Sequence, residues 1–245
     1  MARAALSGRL TWQLAGVVEL LPETARVTSL VLDLPAWPGG YRAGQHVDVR
    51  LTAEDGYQAQ RSYSIASAPE DGMLMLTVER LDDGEVSPYL TEELRAGDEL
   101  ELRGPIGGYF VWEDRADHPR LMVAGGSGVV PFRAMLRHHR AADSAVPVRL
   151  LYSSRSLEDV IYREELLDRK GVHLALTREW PPDWEGHRGR IDRELLDELA
   201  WPADQSPLSY VCGPTGFVEA VAEALVAAGH DAGQIRTERF GPTGT

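Results

Sequence analysis

The spacing of hydrophobic and polar positions changes near the middle of this 245-residue chain. In the first half, short runs mix apolar and polar residues and end at Gly, Asp or Pro, as strands joined by turns do. These runs are Val27–Leu34, His46–Leu51, Met73–Val78 and Glu99–Leu102. About six short strands with little helix are typical of a small antiparallel β-barrel.

The second half alternates apolar strand-like runs with helical patterns. The apolar runs are Leu121–Ala124, Val148–Tyr152, Val172–Leu176, Leu208–Cys212 and Ile235–Phe240. The helical patterns are Pro131–Arg140, Asp159–Lys170, Asp192–Ala200 and Pro214–Ala228. This alternation predicts a parallel sheet with helical crossovers. The polar segment Glu113–Pro119 separates the halves, so we predict a β-barrel domain over residues 1–115 and an α/β domain over residues 116–245.

Charge and composition exclude several classes of function. A net charge of −13 argues against nucleic acid or an anionic membrane surface as the partner, since both require a basic face. The single cysteine, Cys212, excludes an internal disulfide, a cysteine zinc site and a cysteine-ligated iron–sulfur cluster. No apolar run approaches the roughly 18 residues that a membrane span needs. We therefore expect a cytoplasmic monomer without a metal site.

A glycine cluster opens the first predicted helix of the second half. It follows an apolar strand, precedes Pro131 and consists of Gly125, Gly126, Ser127, Gly128 and Val129. Glycines there let the backbone approach a pyrophosphate, whose charge is favoured at a helix N-terminus. A tight strand–helix turn is the alternative interpretation. Pro131 replaces the third glycine of the usual dinucleotide fingerprint, so this is not the ordinary dehydrogenase loop.

The end of the second parallel strand favours a phosphorylated coenzyme. A protein that binds NAD usually has Asp or Glu there for the ribose 2′-hydroxyl, whereas this chain has Ser154 and Arg155. Arginine suits a 2′-phosphate because it forms charge-assisted, often bidentate hydrogen bonds. Thr177 and Arg178, at the end of the third strand, and Arg188 further on are candidates for the same group. The alternative is that these are solvated surface arginines.

The fourth parallel strand ends in Cys212, Gly213 and Pro214. A lone cysteine at a strand end is commonly a small core residue. The Gly-Pro turn, however, leaves a ligand room to approach the carboxyl end of the sheet, where ligands bind in such folds. Both interpretations stay open.

In the first half, Arg61 and Tyr63 are two residues apart on one predicted strand, so they share a face. A planar ring with a phosphate tail needs this combination of an aromatic surface and a cation. A half-buried strand with a polar outer face is the alternative. Gly84-Glu85-Val86-Ser87 precedes a predicted helix start at Ser87-Pro88 and offers a second phosphate cradle.

These motifs, with Gly104-Pro105-Ile106-Gly107 among them, occur in an order and spacing that resembles the ferredoxin–NADP reductase superfamily from Trp12 to Pro242. That family joins a flavin barrel to a nicotinamide-nucleotide domain. The ending Glu238-Arg239-Phe240-Gly241-Pro242 further resembles the reductase parts of flavohaemoglobins and oxygenases. The chain lacks their globin or four-cysteine ferredoxin domain, so the resemblance implies a separate electron acceptor.

The resemblance also implies roles for individual residues. The flavin would be held by Arg61, Ser62, Tyr63 and Ser64, with Tyr63 against the isoalloxazine and the Ser64 hydroxyl near N5. Its phosphates would lie at Gly84, Val86 and Ser87. The pyrophosphate of the coenzyme would lie on the loop Gly125, Gly126, Ser127, Gly128 and Val129, and its 2′-phosphate at Arg155 and Arg178. The segments beside the nicotinamide and the flavin would be Cys212, Gly213 and Pro214, and Glu238 and Phe240.

The expected activity is that of an NADPH-dependent flavoprotein reductase. NADPH would give a hydride to N5 of FAD, and the reduced flavin would pass electrons to a ferredoxin-type protein, or to an oxygenase or molybdenum enzyme. Ser64 and Glu238 would tune N5, Cys212 would shape the nicotinamide pocket, and Phe240 would cover the flavin face. FAD is favoured over FMN, and NADPH over NADH.

Two other functions fit the same motifs. One is a stand-alone NAD(P)H:flavin or quinone reductase with a small-molecule acceptor, and the other is a flavin-holding electron-transfer subunit of a larger complex. For an acidic acceptor protein, the candidate docking surface is a basic cluster on the first predicted helix, with a solvated helix face as the alternative. The cluster consists of Arg133, Arg137, His138, His139 and Arg140.

Overall fold

The computed structural model describes residues 10–33, 37, 40–113, 118–167 and 169–241, and within them two six-stranded sheets. The strands of the first sheet are β1 (Trp12–Thr24), β2 (Val27–Asp33), β3 (His46–Thr52), β4 (Gln58–Ser64), β5 (Leu74–Glu79) and β6 (Glu99–Ile106). All neighbours are antiparallel, in the order β4-β3-β6-β1-β2-β5. A bridge between Ile65 and Leu76 joins the two ends of this order, which closes the sheet into a barrel.

Strand β1 is the one long barrel element that the sequence pattern did not predict. Its inward residues Ala15 and Val17 are buried, but Leu14 and Val18 on the outer face are about half exposed, at 52% and 49%. Apolar residues on both faces remove the alternation by which a half-buried strand is recognised. The predicted strand Val27–Leu34 ends at Asp33 in the structure, and Leu34 lies outside the described residues.

The second sheet is parallel throughout and has the order β10-β9-β8-β7-β11-β12. Its strands are β7 (Arg120–Gly125), β8 (Val148–Ser154), β9 (Val172–Leu176), β10 (His187–Arg188), β11 (Leu208–Pro214) and β12 (Ile235–Phe240). The α-helices of the described residues are α1 (Val130–Ala141), α2 (Arg163–Leu166), α3 (Arg193–Leu199) and α4 (Thr215–Ala227). Met122 lies in a core cluster with Phe132 of α1, and Leu121 in another with Val218 of α4. Helices therefore cover both faces, and the predicted barrel followed by an α/β domain is confirmed.

One predicted helix is much shorter than expected, whereas the short helix predicted after Ser87-Pro88 is present as a single turn. The pattern Asp159–Lys170 gives only α2, four residues long, and the start at Ser87-Pro88 gives a single π-type turn over Tyr89–Glu93. In the first case Val160, Ile161 and Tyr162 are buried consecutively, which a helix with one apolar face does not allow. Tyr162 adopts a left-handed conformation with φ 59° and ends any earlier helical turn.

The basic cluster of α1 lies against the barrel. The guanidinium of Arg137 donates two hydrogen bonds of 2.8 Å to the carboxylate of Asp71, and His138 Nδ1 lies 2.8 Å from Glu70 Oε1. Arg133 reaches the carbonyl oxygen of Ala66 at 3.2 Å. These three residues therefore form an interdomain contact rather than a freely solvated helix face, and their role in docking an acceptor protein stays a prediction.

An apolar cluster also joins the two domains. It contains Phe110 and Trp112, which follow the barrel strands, together with Phe132 and Met135 of α1. The predicted boundary between residues 115 and 116 falls among residues 114–117, outside the described residues, and stays a prediction. In the part of the chain that the structure describes, no helix has the length and apolar character to traverse a bilayer.

Candidate functional site

An open cleft lies at the carboxyl ends of the parallel strands, where the α/β domain meets the barrel. Among its lining residues are eight that the sequence predicted to bind nucleotide: Gly125, Gly126, Ser127, Ser154, Arg155, Thr177, Pro214 and Phe240. The barrel contributes Thr24, Arg26, Val27 and Glu79. The carboxyl end of a parallel sheet is where ligands bind in open α/β folds. We therefore treat this cleft as the candidate coenzyme site.

The glycine loop forms a short 3₁₀ turn, Gly126–Val129, between β7 and α1. Gly126 has φ 55°, and a Cβ atom added there would meet no atom within 4 Å, so its backbone faces open space. At Gly128 a Cβ would lie 2.1 Å from the carbonyl oxygen of Cys212, so only glycine lets the loop pack against β11. One glycine thus opens the loop toward the cleft and the other fixes its position.

A hydrogen bond across the cleft was missed by sequence reasoning. The Ser127 hydroxyl donates to Glu79 Oε2 at 2.7 Å, which ties the glycine loop to the last residue of barrel strand β5. Glu79 directly follows a run that was predicted as a strand. Nothing in its local pattern indicates that the other domain packs there, so no sequence signal was available.

Arg155 and Arg178 follow the neighbouring strands β8 and β9. The backbone amide of Arg178 donates to the carbonyl oxygen of Arg155 at 2.9 Å, and Thr177 donates to the carbonyl oxygen of Ser154 from both its amide (2.9 Å) and its hydroxyl (3.1 Å). Both arginines are exposed, and within the described residues neither guanidinium has a hydrogen bond or ion pair. Two uncommitted cations therefore stand at adjacent strand ends.

Arg188 is less available than these two. It lies on the short edge strand β10, paired with Leu176, and is exposed. Its guanidinium donates to the carbonyl oxygen of Trp184 at 2.9 Å and does not line the cleft. Its predicted contact with a 2′-phosphate stays a prediction.

Cys212, Glu238 and Phe240 come together through the pairing of β11 with β12. Cys212 is the register partner of Glu238, and Pro214 that of Phe240. Burial, with a smaller contribution from the Glu238 charge, raises the pKa of the Cys212 thiol well above its usual value, so the thiol is neutral. Burial also raises the pKa of Glu238 to about 7. Within the described residues this carboxylate has no hydrogen-bond partner, which makes it a group that gains or loses a proton near neutral pH.

Phe217 also contributes to this region, although no motif in the sequence singles it out. Cβ atoms added at Gly125 and Gly213 would lie 2.9 Å and 2.8 Å from its ring. The ring therefore packs directly over both glycines. It also lines the cleft, so it determines how deep a ligand can enter between β7 and β11.

The residues predicted to hold a flavin lie on barrel strand β4. Tyr63 is half-buried against the barrel core, and burial raises the pKa of its hydroxyl to about 12. Ser64 is the cross-strand partner of His46, and within the described residues its hydroxyl makes no hydrogen bond. The Ser62 hydroxyl donates to Asp48 at 2.6 Å and is committed to the barrel. Arg61 pairs with Glu85 at 3.0 Å.

The predicted phosphate cradle at residues 84–87 is a self-bonded turn. The Gly84 amide donates to the Leu81 carbonyl oxygen at 2.9 Å, and the Leu81 amide donates to the Ser87 hydroxyl oxygen at 3.1 Å. A Cβ at Gly84 would lie 2.9 Å from Ser87 Oγ, so this turn is tight. Val86 is buried in the barrel core.

The structure therefore brings the predicted residues together in two groups. Eight of the predicted residues line the cleft and others, such as Arg178 and Cys212, follow or belong to the same strands, whereas the strand β4 and residues 84–87 do not contribute to its lining. The two groups approach each other just after Ser64, because Ala66 belongs to the apolar cluster between the domains and bonds to Arg133.

Comparison with known proteins matches both domains. The family described as oxidoreductase FAD-binding domain matches residues 17–111, and that described as oxidoreductase NAD-binding domain matches residues 122–223. The chain is 37% identical over 194 residues to ferredoxin–NADP reductase B of Sorangium cellulosum, covering 75% of this chain and 78% of that protein. It is 34% identical over 212 residues to the glycine betaine monooxygenase reductase subunit of Chromohalobacter salexigens, covering 83% of this chain and 57% of that protein.

A solved structure is similar over almost the whole chain. The flavohem-like FAD/NAD-binding domain of nitric oxide dioxygenase from Vibrio cholerae superposes with a TM-score of 0.83 at 29% identity, covering 94% of this chain and 98% of that one. The fold and both matches define a flavin- and nicotinamide-nucleotide-dependent oxidoreductase. The chain belongs to the ferredoxin–NADP reductase superfamily, as the order of its motifs predicted.

Proposed function

We propose that this chain is an NADPH-dependent flavoprotein reductase that passes electrons through bound FAD to a separate redox protein. The acceptor class is a ferredoxin-type protein, or an oxygenase or molybdenum-enzyme component. The observation that carries the proposal is the pair of uncommitted guanidinium groups, Arg155 and Arg178, at neighbouring strand ends beside the nucleotide cleft.

The net charge of the protein makes these two arginines necessary for an anionic coenzyme. At −13 the mean field repels NADPH, so binding has to rest on local cations. Most arginines in the described residues are held by carboxylates or carbonyl groups, as Arg137 is by Asp71. Arg155 and Arg178 are free to form charge-assisted hydrogen bonds with a 2′-phosphate.

The residues of the two sites fit the groups that the family implies. Gly126 leaves open space for a pyrophosphate, and the Ser64 hydroxyl is free to bond a polar ring atom. When bound, the flavin supplies hydride acceptance and electron release, which side chains cannot provide. Phe240 would cover the ring face until the nicotinamide approaches. Glu238, with its pKa of about 7, would hold or release a proton at its carboxyl group beside Cys212.

The nature of the relatives supports a protein acceptor. One of them is named as a reductase subunit, that of glycine betaine monooxygenase, and another is named as a component of an enzyme, methane monooxygenase component C. This chain spans 57% and 48% of their lengths. The similarity to subunits of multicomponent enzymes supports a separate protein as the electron acceptor.

Steady-state turnover with different acceptors tests the proposal. The FAD-loaded chain and NADPH would be combined with a ferredoxin or a flavodoxin, and separately with free FMN or a quinone. We expect faster turnover with at least one of the redox proteins. Fast reduction of free flavin with negligible reduction of either protein would instead favour a flavin reductase. A chain that holds flavin but oxidises no NADPH would be an electron-transfer subunit.

A further inference from the structure

The arginine predicted to bind a flavin phosphate is already held by an acidic residue of the same cradle. Arg61 Nη2 donates to Glu85 Oε2 at 3.0 Å, and its Nη1 donates to the carbonyl oxygen of Gln60 at 2.7 Å. The other oxygen of Glu85 accepts a hydrogen bond of 2.6 Å from the Tyr57 hydroxyl. Both terminal nitrogens of Arg61 are therefore engaged, and Glu85 is fixed from two sides.

Glu85 is negatively charged at neutral pH. The hydrogen bond from the Tyr57 hydroxyl is the largest cause that holds the pKa of its carboxyl group below the usual value, and Arg61 adds to this effect. Its position in the chain is between Gly84 and Val86, both of which were predicted to contact flavin phosphates. The predicted phosphate cradle at residues 84–87 thus carries a carboxylate at the place where the flavin phosphate, itself an anion, would bind.

A phosphate can reach Arg61 in two ways, and Glu85 opposes both. A guanidinium has five N–H donors, so the phosphate can share Arg61 with the carboxylate and then feels its repulsion at close range. Alternatively the phosphate displaces Glu85, and the ion pair between Arg61 and Glu85 is lost. The side chains of Arg61 and Glu85 are 53% and 49% exposed, so the energy of their ion pair is modest. Glu85 should therefore weaken flavin binding without preventing it.

We propose that Glu85 competes with the flavin phosphate for Arg61 and thereby sets how tightly the chain retains its flavin. This inference rests on the proposed function, because it takes Arg61 as the phosphate ligand. It gives Glu85 a role in ligand retention that is separate from hydride or electron transfer. The competition acts on the phosphate and not on the ring, which makes phosphorylated flavins the sensitive probes.

Flavin release from the full chain tests the proposal. The chain is loaded with FAD, FMN or riboflavin, diluted in steps, and the free flavin is measured by its fluorescence. For Glu85→Gln we expect the Kd for FAD and FMN to fall roughly two- to fivefold, as the loss of an exposed charge pair allows, with the Kd for riboflavin unchanged. Glu99→Gln is the matched control, since it removes one exposed barrel carboxylate and should change none of the three values.

Each other outcome has a definite meaning. A Kd for FAD that is unchanged or higher in Glu85→Gln overturns the role of Glu85, as does equal tightening of riboflavin, which would indicate an effect on the ring site. Circular dichroism of both variants checks that the exposed substitution leaves the fold intact. If the unaltered chain retains none of the three flavins, the proposed function itself fails, and this inference fails with it.

Discussion

The backbone amide of Arg178 donates a hydrogen bond of 2.9 Å to the carbonyl oxygen of Arg155. The amide of Glu179 bonds to the same oxygen at 3.1 Å, so the ends of β8 and β9 are held together just where both arginines leave the sheet. These backbone contacts hold the two arginines at adjacent points of the sheet edge, from which both guanidinium groups can reach one anion. The relationship makes coenzyme choice the first property to test.

Replacing Arg155 with alanine should weaken the use of NADPH selectively. A lost charge-assisted hydrogen bond to a phosphate corresponds to a roughly 10- to 100-fold fall in kcat/KM. We expect this fall with NADPH and little change with NADH, which has no 2′-phosphate, and the same direction for Arg178→Ala. Arg163→Ala is the control, since Arg163 is exposed and lies outside the cleft. Equal losses of kcat/KM with both coenzymes would mean that these arginines contact a part of the nucleotide that NADPH and NADH share.

Gly128 should tolerate no side chain. A Cβ there would lie 2.1 Å from the carbonyl oxygen of Cys212, so Gly128→Ala must push the glycine loop away from β11. We expect it to lower the free energy of unfolding by about 2 kcal/mol or more and to weaken nucleotide binding. Gly216→Ala, where the added Cβ meets nothing within 4 Å in helix α4, should instead raise stability by about 0.5–1 kcal/mol. Denaturant unfolding measures the free energy of unfolding of both variants. Equal changes in the two variants would contradict the close packing of Gly128 against β11.

The half-buried Glu238 should make stability depend on pH. Its pKa is about 7 in the folded chain and near 4.5 when unfolded, so the folded state binds the proton more tightly. The resulting stabilisation is present below pH 4.5 and is lost as pH rises to about 7. We expect Glu238→Gln to remove a contribution of roughly 1–3 kcal/mol from this pH dependence. Denaturant unfolding between pH 4 and 8 should therefore show a smaller decline with pH in the variant. A parallel decline in both proteins would mean that Glu238 is not buried in this way.

The ion pair between Arg137 and Asp71 should hold the domains together. Arg137→Glu places two carboxylates face to face and should destabilise the chain by about 1–2 kcal/mol. Adding Asp71→Arg to the same chain reverses the pair and should recover most of this loss, which denaturant unfolding of the four proteins in a double-mutant cycle would show. If Arg137→Glu instead leaves stability unchanged and slows only the reduction of an acceptor protein, the residue would belong to a docking surface after all.

The sequence predicted those strands whose hydrophobic pattern is regular. Strand β3 alternates apolar and polar residues, and the consecutive apolar residues of β7 and β11 have the pattern of a fully buried parallel strand. Leu14 and Val18 on the outer face concealed β1, and the buried run from Val160 to Tyr162 was mistaken for part of a helix. In both cases tertiary packing, which local periodicity does not record, decided the structure.

The site was predictable where its residues belong to local motifs. The glycine loop, Arg155, Thr177 and Phe240 meet at one cleft because the carboxyl ends of parallel strands share one edge of the sheet. Glu79 and Glu85 were not predicted as site residues, since each acts through a partner far away in the chain, Ser127 and Arg61. Such contacts depend on how strands and domains pack, and no spacing in the sequence indicates them.

The most direct measurement of the central claim is anaerobic mixing of the FAD-loaded chain with NADPH and, separately, with NADH, followed by the visible absorbance of the flavin. We predict rapid bleaching by NADPH at low concentration, slower bleaching by NADH, and recovery of the absorbance when an oxidised ferredoxin is added. Bleaching by NADH in preference to NADPH would contradict the role of Arg155 and Arg178. A flavin that neither coenzyme bleaches, or that no redox protein reoxidises, would contradict the proposed reductase.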